Sequence, residues 1–418
     1  MAPESPIANV ATGTPFGICT IEAADRVIRI TSLCIKETAM NQIKPEAPLS
    51  PGATLGVMGG GQLGRMFSQS ASKMGYRVCV LDPSADSPAA EVSAVHIQAA
   101  YDDAEGLAEL AQVCDAVTTE FENVPADSLR ILQKSKVVSP PPEAVEIAQN
   151  RNREKTFFQQ HGLPVNAFVP IHEADQINTA FEQMQGKAVL KTARFGYDGK
   201  GQCVCNSAAE VEAAFQEFGE VECILEDFVP FDCEVSVVLA RDAYGQVAAF
   251  PVVENQHQNG ILDICIVPAR VAPAVAQEAQ AVAAALAEAM DYVGVLAVEM
   301  FVTGEIISLN EIAPRPHNSG HYTMDACNYS QFDQQVRTLA GLPVGDVKLH
   351  QPAVMLNLLG DSILADGFEW QSLQKNANAH VHVYGKKEAR VGRKMGHVNF
   401  LTDDLQACLA TIELIRQS

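Results

Sequence analysis

The sequence predicts a mixed fold class, with an α/β domain near the start and α+β parts after it. Between Thr54 and Ser139, short apolar strands alternate with helical segments, which is the pattern of a parallel sheet covered by helices. Further along, Ala188–Cys205 and Val295–Asn310 each read as two strands joined by a glycine-containing turn, as in antiparallel hairpins. The chain has 418 residues, 47% of them hydrophobic and 19% charged, which suits a globular protein of about two to four domains.

Composition argues against several classes of partner. The formal net charge of −22 disfavours nucleic acid or an anionic membrane surface, although a local basic cluster could still bind an anionic substrate. No apolar run reaches the roughly 18 residues of a membrane span. The 11 cysteines follow no zinc-binding spacing, and several lie in apolar runs, which favours reduced thiols in the core of a cytoplasmic protein.

The start of the chain differs from the rest. We expect residues 1–53 to be a disordered or wrongly assigned N-terminal extension, ending in a proline-rich linker that begins at Gln42. Met40 would be a natural initiator. The segment before it has neither a basic-then-apolar signal peptide nor the acid-poor composition of a transit peptide. Residues 1–39 are assigned no function.

A strand, a glycine-rich turn and a helix open the first domain. Thr54–Met58 runs into Gly59–Gly64, which has the spacing GxGxxG, and a helix continues to Met74. The next strand, Arg77–Leu81, ends at Asp82, where a dinucleotide-binding fold carries its ribose-binding acid. A nicotinamide-dependent oxidoreductase is therefore one interpretation. Because the remaining chain offers phosphate chemistry and no hydride chemistry, we expect no NAD.

The first domain ends at three consecutive prolines. Before them, Ala116–Thr119 is a strand followed at once by Glu120, and carboxylates at this end of a parallel strand lie where such sheets bind ligands. After Val137–Ser139 and the prolines, Ala144–His161 reads as one helix. It carries Arg151, which taken alone is more typical of a solvated surface than of a ligand-binding residue.

A lysine at the end of a strand introduces a glycine-rich loop. Ala188–Leu190 ends in Lys191, and Gly196–Gln202 then brings three glycines within six residues before the return strand Cys203–Cys205. Such a loop can form a flap whose amides cover phosphates, although it lacks the GxxxxGK pattern of a P-loop. An ordinary glycine-rich hairpin turn is the alternative.

The next stretch could bind a nucleoside. Cys223–Leu225 is an apolar strand, followed by Glu226–Val229 and then by Glu234. An extended segment beside an apolar strand can hold adenine through its backbone while a carboxylate takes the ribose hydroxyls. His257 lies in a polar loop, 254–260, where a surface position is the more ordinary reading. Ala272–Met290 is an alanine-rich helix.

Two glutamates on the hairpin Val295–Asn310 predict a metal site. With the turn centred on Gly304, Glu299 faces Leu309, and Glu311 lies diagonally across on the same face, about 7–8 Å away. Glu299 interrupts an apolar strand, and a buried lone carboxylate is costly unless it is paired or bound to metal. Carboxylates that hold Mg²⁺ against nucleotide phosphates are the usual arrangement for that ion. Two solvated hairpin glutamates are the alternative.

Taken together, these motifs make the sequence resemble the ATP-grasp superfamily and, within it, the family of 5-(carboxyamino)imidazole ribonucleotide synthetases of purine biosynthesis. The resemblance covers the chain from about Thr54 to its end. GYDGKGQ together with APRPHNSGH is far more specific than GxGxxG. The stretches that carry it are GGGQLGRM (59–66), TEFENVP (119–125), GYDGKGQ (196–202), QHQNGIL (256–262), NEIAPRPHNSGH (310–321) and GRKMGHVN (392–399).

The resemblance implies a role for each matching residue. The fold would be an ATP-grasp fold with a Rossmann-like N-terminal (pre-ATP-grasp) domain and a small β-rich C-terminal domain. ATP-binding residues would be Arg151, Lys191, Gly196, Tyr197, Asp198, Gly199, Lys200, Gly201, Gln202, Glu226, Asp227, Phe228, Val229, Glu234, His257, Asn310 and Glu311. Substrate-binding residues would be Gln62, Leu63, Glu120, Tyr197, Asp198, Arg390 and Lys394. Glu299 and Glu311 would carry one or two Mg²⁺ ions, for which Mn²⁺ could substitute.

The implied reaction is ATP-dependent carboxylation of aminoimidazole ribonucleotide by bicarbonate through carboxyphosphate. Catalytic residues would be Lys191, Arg315, His317 and Asn318, and either His317 or His321 could act as a base. Five basic side chains within 386–394 reverse the local charge and suggest a 5′-phosphate site, with a solvated basic loop as the alternative. A sister ligase, such as formate-dependent glycinamide ribonucleotide transformylase, is the alternative function.

We expect four segments: the extension and linker 1–53, a pre-ATP-grasp domain 54–143, a two-lobed ATP-grasp domain 144–343, and a C-terminal domain 344–418 resembling a rudimentary single-hybrid fold. The family implies a cytoplasmic homodimer. Its partners would be small molecules, with a hand-off of product to the mutase that follows in the pathway.

Overall fold

The computed structural model describes residues 47–196, 199–364, 370, 373 and 375–417, with side chains as far as 415. Tyr197 and Asp198, both predicted to contact ligands, lie outside the described residues, as does most of the predicted extension. The end of the predicted linker packs onto the fold, since the N–H of Leu49 donates to the carbonyl of Ala340 and the Tyr76 hydroxyl donates to the carbonyl of Leu49, both at 2.8 Å. Within the described ranges, none of the helices combines the length and apolarity that a bilayer crossing requires.

A five-stranded parallel sheet begins the fold, in the order β3-β2-β1-β4-β5. Its central strand β1 is buried at every position, because helices cover both faces of the sheet. The strands are β1 (Thr54–Met58), β2 (Arg77–Leu81), β3 (Val95–Ile97), β4 (Ala116–Thr119) and β5 (Val137–Ser139). The helices are α1 (Gln62–Lys73), α2 (Ala104–Val113) and α3 (Ala126–Gln133).

Two short helices follow where the sequence predicts one long one. The prediction of a single helix over Ala144–His161 is wrong: α4 (Pro142–Ala148) ends before Asn150, and α5 (Arg151–Gln160) starts after it. The Asn150 side chain accepts hydrogen bonds from the N–H groups of Asn152 and Arg153, which is the geometry of a helix N-cap.

A four-stranded antiparallel sheet, in the order β6-β9-β7-β8, forms the next layer. Helices pack on one of its faces around a core that includes Ile171, Leu190 and Phe215. Its elements are β6 (Phe168–Ile171), α6 (Ile177–Glu182), β7 (Ala188–Thr192), β8 (Gln202–Cys205), α7 (Ala208–Glu217) and β9 (Cys223–Asp227).

The largest sheet has nine strands, eight of them in the order β15-β14-β10-β12-β13-β16-β18-β17, with β11 paired to β10. The strands are β10 (Cys233–Arg241), β11 (Val247–Ala249), β12 (Val253–Gln258), β13 (Ile261–Val267), β14 (Gly294–Thr303), β15 (Ile306–Ala313), β16 (Ala353–Leu359), β17 (Ala379–Val383) and β18 (Lys394–Leu401). The helices of this part are α8 (Pro273–Ala289), α9 (Thr323–Ala326), α10 (Gln331–Leu339), α11 (Gly360–Leu364) and α12 (Leu405–Gln417).

This sheet changes two expectations. The predicted polar loop at 254–260 is wrong, because Val253–Gln258 is strand β12, a turn follows at Asn259 and Gly260, and β13 begins at 261. The strand β16 pairs with β13, so the predicted boundary at 344 separates strands of one continuous sheet.

Helix α10 packs between the first sheet and the large sheet. Its apolar residues Phe332, Val336 and Leu339 share one core with Leu55 and Phe67 of the first sheet and its helix. The segment between β15 and α10 is short and contains only a helical turn at Asn318–Gly320 and helix α9. The helix therefore ties the strand that carries Glu311 to the glycine-rich turn of the first domain.

Candidate active site

The hairpin of β14 and β15 carries two facing glutamates. Glu299 pairs directly with Glu311, because a bulge beside Glu299 sets Met300 opposite Leu309 and leaves Asn310 as the extra residue. The predicted register, with Glu299 opposite Leu309 and Glu311 diagonal to it, is therefore wrong. The bulge sets the two glutamates directly opposite each other, closer than the predicted diagonal arrangement, with Asn310 next to Glu311 in the chain.

The charges of this pair are strongly unequal. Burial, together with the negative charge of Glu311, raises the pKa of Glu299 to about 8. Although burial opposes it, the positive charges of Arg151 and Lys191 lower the pKa of Glu311, and Arg151 donates a hydrogen bond to it at 2.6 Å. A divalent cation between the two carboxylates would compensate the charge that burial makes costly.

The donors of this site fit a hard cation. Glu299 and Glu311 supply carboxylate oxygens, and the buried Oδ1 of Asn310 has no hydrogen-bond partner among the described residues. No group of three His, Cys, Asp or Glu side chains with metal-binding geometry occurs in the described ranges. Mg²⁺ commonly uses one or two carboxylates and completes its shell with water and phosphate oxygens, so the residues present fit that ion.

His317 holds one of these carboxylates. Its Nδ1 accepts a hydrogen bond from the N–H of Ser319 at 3.3 Å, so the ring proton of the neutral form lies on Nε2. That Nε2 lies 3.3 Å from Oε1 of Glu299. Burial, followed by the positive charge of Arg315, lowers the pKa of His317 well below its ordinary value. A neutral His317 therefore lies with its Nε2 next to the Glu299 carboxylate.

Two lysines and a glutamate form a buried cluster beside the hairpin. The Glu226 carboxylate lies 3.3 Å from Nζ of Lys155 and 3.1 Å from Nζ of Lys191. Although burial opposes it, these two lysines and Arg151 lower the pKa of Glu226 to about 2. The Lys155 ammonium also donates to the carbonyl of Leu309 at 3.0 Å, which fixes β15 just before Asn310. The cluster gathers positive charge where phosphates would meet the metal.

Sequence reasoning missed Lys155. Its signal is its place on the buried face of α5, three residues before the fully buried Phe158. A lysine at such a position needs a partner. Sequence reasoning also assigned Glu226 to adenine; the structure brings its carboxylate to the lysines. The neighbouring Asp227 accepts from the N–H of Gln185 instead. Phe228 lies under the Lys187 ammonium, and Val229 is half-buried.

The predicted ribose acid and the predicted histidine meet. Glu234 on β10 and His257 on β12 approach to 2.5 Å, between Oε2 and Nδ1. Although burial opposes it, the Glu234 carboxylate raises the pKa of His257. His257 is therefore exposed but paired, since its ring contacts the Glu234 carboxylate.

The glycine-rich loop contacts the β12–β13 turn. Gly196 and residues 199–202 connect β7 to β8, and the Gly201 carbonyl accepts from the N–H of Thr192 at 2.8 Å. Gly199 has a φ of +76°, and a Cβ added there would lie 3.2 Å from Cα of Gly260. The loop therefore approaches the strand turn next to His257, with Lys200 and Gln202 beside it.

Two carboxylates accept hydrogen bonds from the backbone N–H groups of the first glycine-rich turn. The N–H of Gly60 donates to Asp82 and that of Gly61 to Glu120, both at 2.7 Å, and the N–H of Gly64 also donates to Glu120. Burial raises the pKa of Glu120, with these amides opposing it. Gln62 remains half-exposed at the start of α1.

Leu63, predicted to contact the substrate, turns its side chain inward. That side chain, 6% exposed, packs in the core with Phe67 and Ala89 and would not touch a substrate. Only its main chain could do so, because the second position of an amphipathic helix turns inward here.

The loop after β15 reaches back to the first domain. Arg315 pairs with Glu122, a residue that sequence reasoning left out although it stands two positions after Glu120. Asn318 is 8% exposed, and neither its Oδ1 nor its Nδ2 has a hydrogen-bond partner among the described residues. An amide buried with both polar atoms unused can still bind a water or a ligand that has donor and acceptor groups.

The basic segment 386–394 divides into an inner and an outer part. Of the two predicted phosphate residues, Arg390 is exposed and pairs with Glu388. Lys394 begins β18, and its charge acts to lower the pKa values of Glu299 and His257. Lys386, which sequence reasoning did not single out, donates to the Lys394 carbonyl at 2.7 Å. Burial and then Arg393 lower the pKa of Lys386 to about 8, while Glu120 raises it.

Family models match three parts of the chain in succession. Residues 52–149 match the ribonucleotide synthetase preATP-grasp domain, 156–332 match the ATP-grasp domain, and 353–411 match the phosphoribosylaminoimidazole carboxylase C-terminal domain. The fold class predicted from the sequence is confirmed.

Curated relatives and solved structures agree with the models. The N5-carboxyaminoimidazole ribonucleotide synthase of Brucella melitensis is 45% identical over 84% of this chain and 96% of its own length, and that of Bacillus subtilis is 44% identical over 84% and 92%. A crystal structure of the Aspergillus clavatus enzyme in complex with ADP and 5-aminoimidazole ribonucleotide is 31% identical, with a TM-score of 0.81 over 87% of this chain and 98% of that one. None of these relatives is a formate-dependent transformylase, so that alternative is not supported.

Proposed function

Because this chain belongs to the N5-carboxyaminoimidazole ribonucleotide synthase family of ATP-grasp ligases, we propose that it carboxylates 5-aminoimidazole ribonucleotide with ATP and bicarbonate, as a step of purine biosynthesis. A bicarbonate oxygen attacks the γ-phosphorus of ATP, and ADP leaves. The exocyclic amine of the ribonucleotide then attacks the carboxyl carbon of carboxyphosphate, phosphate leaves, and the amine loses a proton to give the carbamate.

One observation supports this function above the others: the facing Glu299 and Glu311 stand beside the buried Lys155–Glu226–Lys191 cluster. Phosphoryl transfer needs little covalent help from the protein, and mainly requires positioning and neutralisation of charge. Carboxylates for a metal and ammonium groups for phosphates supply both in one place.

We assign Mg²⁺ to Glu299, Glu311 and Asn310, as one or two ions, with Mn²⁺ as a substitute. When bound, the metal would neutralise phosphate charge and orient the terminal phosphoryl group. Lys191 would contact phosphate, whereas the fully buried Lys155 would hold Glu226 and β15 in place. His317 would keep Glu299 oriented through its Nε2–H. Glu234 and His257 would form the ribose end of the nucleotide site.

The loop from Arg315 to Asn318 would face carboxyphosphate. The unused amide of Asn318 can donate to an anionic oxygen and accept from the attacking amine. Arg315, paired with Glu122, would connect this loop to the ribonucleotide side, where Gln62 and Glu120 lie. Lys386 and Lys394 would bind the 5′-phosphate, since ammonium groups next to the first domain suit a phosphate ester.

We further propose a cytoplasmic homodimer that hands its product to the next enzyme, a mutase. The described cysteines, nine in number, are all free thiols, which suits a reducing compartment. A carbamate breaks down in water, so a short path to the next enzyme would limit its loss.

ADP release and product capture together test the function. Purified protein with MgATP receives labelled bicarbonate and aminoimidazole ribonucleotide, separately and together. We expect ADP release that depends on the ribonucleotide, with the label in an acid-labile product. Glycinamide ribonucleotide with formate serves as the negative control, and Glu311→Gln as the inactive variant. Tight MgATP binding without labelled product would refute the proposal.

A further inference from the structure

Gln331, the first residue of α10, reaches back to the loop that carries His317 and Asn318. It is 0% exposed. Its Oε1 accepts from the N–H of His317, and its Nε2 donates to the carbonyl of the same residue, both at 2.8 Å. One side chain therefore satisfies both backbone groups of His317, which fixes the position and the orientation of that peptide segment.

The polarity of these bonds also fixes a neighbouring histidine. Because a backbone N–H can only donate, the oxygen of Gln331 must face it, and Nε2 must be the donor. That Nε2 lies 3.1 Å from Nδ1 of His321, so this nitrogen accepts and the ring proton lies on the other nitrogen. Burial lowers the pKa of His321 well below its ordinary value. His321 is therefore a neutral hydrogen-bond acceptor for Gln331.

The loop packs tightly against the Gln331 side chain at Gly320. A Cβ added at Gly320 would lie 2.4 Å from Oε1 of Gln331, so only glycine allows the loop to come this close. The Asn318 amide, by contrast, makes no hydrogen bond within the described residues that would orient it. Its direction depends on the backbone beside it, which Gln331 holds.

We propose that Gln331 is a positioning residue for the transfer of the carboxyl group from carboxyphosphate to the amine. The inference rests on the function proposed above. In productive transfer, the amine nitrogen bonds to the carboxyl carbon, the bond from that carbon to the phosphate oxygen breaks, and the amine proton leaves. If the loop is loose, water attacks instead and returns bicarbonate and phosphate. ADP is then formed without carbamate.

The same helix supplies a matched control. Gln334 is also 0% exposed and also binds both backbone groups of one residue: its Oε1 accepts from the N–H of Gly345, and its Nε2 donates to the Gly345 carbonyl. Replacing either glutamine with Met removes two bonds to the backbone of one residue, and Gln331→Met also removes the contact with His321. Only the replacement at 331 frees the His317 loop.

The test compares the ratio of ADP to labelled carbamate in the wild-type protein, Gln331→Met and Gln334→Met. We expect a ratio near one for the wild type and for Gln334→Met, and a ratio raised at least about threefold for Gln331→Met, since water then competes for carboxyphosphate. Thermal unfolding should show similar losses for the two variants. Equal ratios of ADP to carbamate in the two variants, with a ratio near one in the wild type, would overturn the role of Gln331 and leave the proposed function standing.

Two further outcomes are distinguishable. If the wild type forms no carbamate, the proposed function fails, and the role of Gln331 fails with it. If Gln331→Met does not fold, Gln331→Glu provides the second variant, because it keeps the acceptor for the N–H of His317 and loses the amide donor. It should raise the ratio at neutral pH; an unchanged ratio there would refute the positioning role.

Discussion

Replacing Glu226 by Gln tests the buried charge cluster that supports the nucleotide site. The change keeps the size of the side chain and removes the negative charge between Lys155 and Lys191, which lie 3.3 and 3.1 Å away. A pKa lowered from 4.5 to about 2 in a side chain that is 4% exposed corresponds to about 3 kcal/mol at neutral pH. We expect Glu226→Gln to lower the free energy of unfolding by about that amount.

The pH dependence of this loss has a definite sign. Because folding lowers the pKa of Glu226, its contribution is fully present above about pH 4.5 and is lost as the pH falls toward about 2. The difference between wild type and Glu226→Gln should therefore be constant from pH 6 to pH 8, and should shrink below pH 4.5. Urea unfolding followed by circular dichroism measures it.

Asp227→Asn is the matched control, since this neighbouring carboxylate accepts from the N–H of Gln185 and is only half-buried. It should cost no more than about 1 kcal/mol. A double variant, Glu226→Gln with Lys155→Met, should lose less free energy of unfolding than the two single variants lose together, because it removes both an ammonium and its partner. Additive losses, or a Glu226→Gln protein as stable as Asp227→Asn, would refute the reasoning.

Three further expectations concern the metal, the loop and the phosphate site. Since the pKa of Glu299 is raised to about 8, Mg²⁺ binding should release close to one proton at pH 7 and almost none near pH 9.5. Titration calorimetry in buffers of different ionisation enthalpy measures this proton release. Release that does not depend on pH would contradict the expectation. Asn318→Ala should lower kcat at least about tenfold with little change in Tm, because its amide has no bonds to lose within the described residues; a large drop in Tm would indicate a structural role instead. Lys386→Ala should raise the KM for the ribonucleotide about tenfold or more, and the exposed Arg390→Ala should leave it nearly unchanged; the reverse order would favour Arg390 as the phosphate residue.

Local sequence signals were sufficient for much of the fold. Thr54–Met58, Arg77–Leu81 and Ala116–Thr119 appear as strands with the predicted bounds, because each is a short apolar run ended by glycine or acidic residues. The break at Asn150 had a local signal as well, since asparagine is a preferred N-cap. The apolar periodicity on both sides hid it.

The remaining features depend on contacts between distant segments. The bulge at Asn310 is set by packing in the sheet. No nearby residue indicates that Glu311, and not Leu309, lies opposite Glu299. Strand β12 looks like a loop because it is polar, but Gln256 hydrogen-bonds to Glu254 and His257 contacts Glu234 across the sheet. Lys155 and Gln331 look like ordinary helix residues. Only the fold reveals that one binds Glu226 and the other binds His317.

The chemistry explains why such distant contacts accumulate around one short loop. In the proposed reaction, carboxyphosphate would form on the ATP side, next to Glu299, and would have to react with an amine held on the side of Gln62 and Glu120. The loop after β15 connects these two sides, and each of its ends is held by a buried or paired polar group. Arg315 binds Glu122 of the first domain, and Gln331 binds the backbone of His317. In the proposed mechanism, a labile intermediate would require both attachments at once, because a loop fixed on the ATP side alone would leave carboxyphosphate away from the amine.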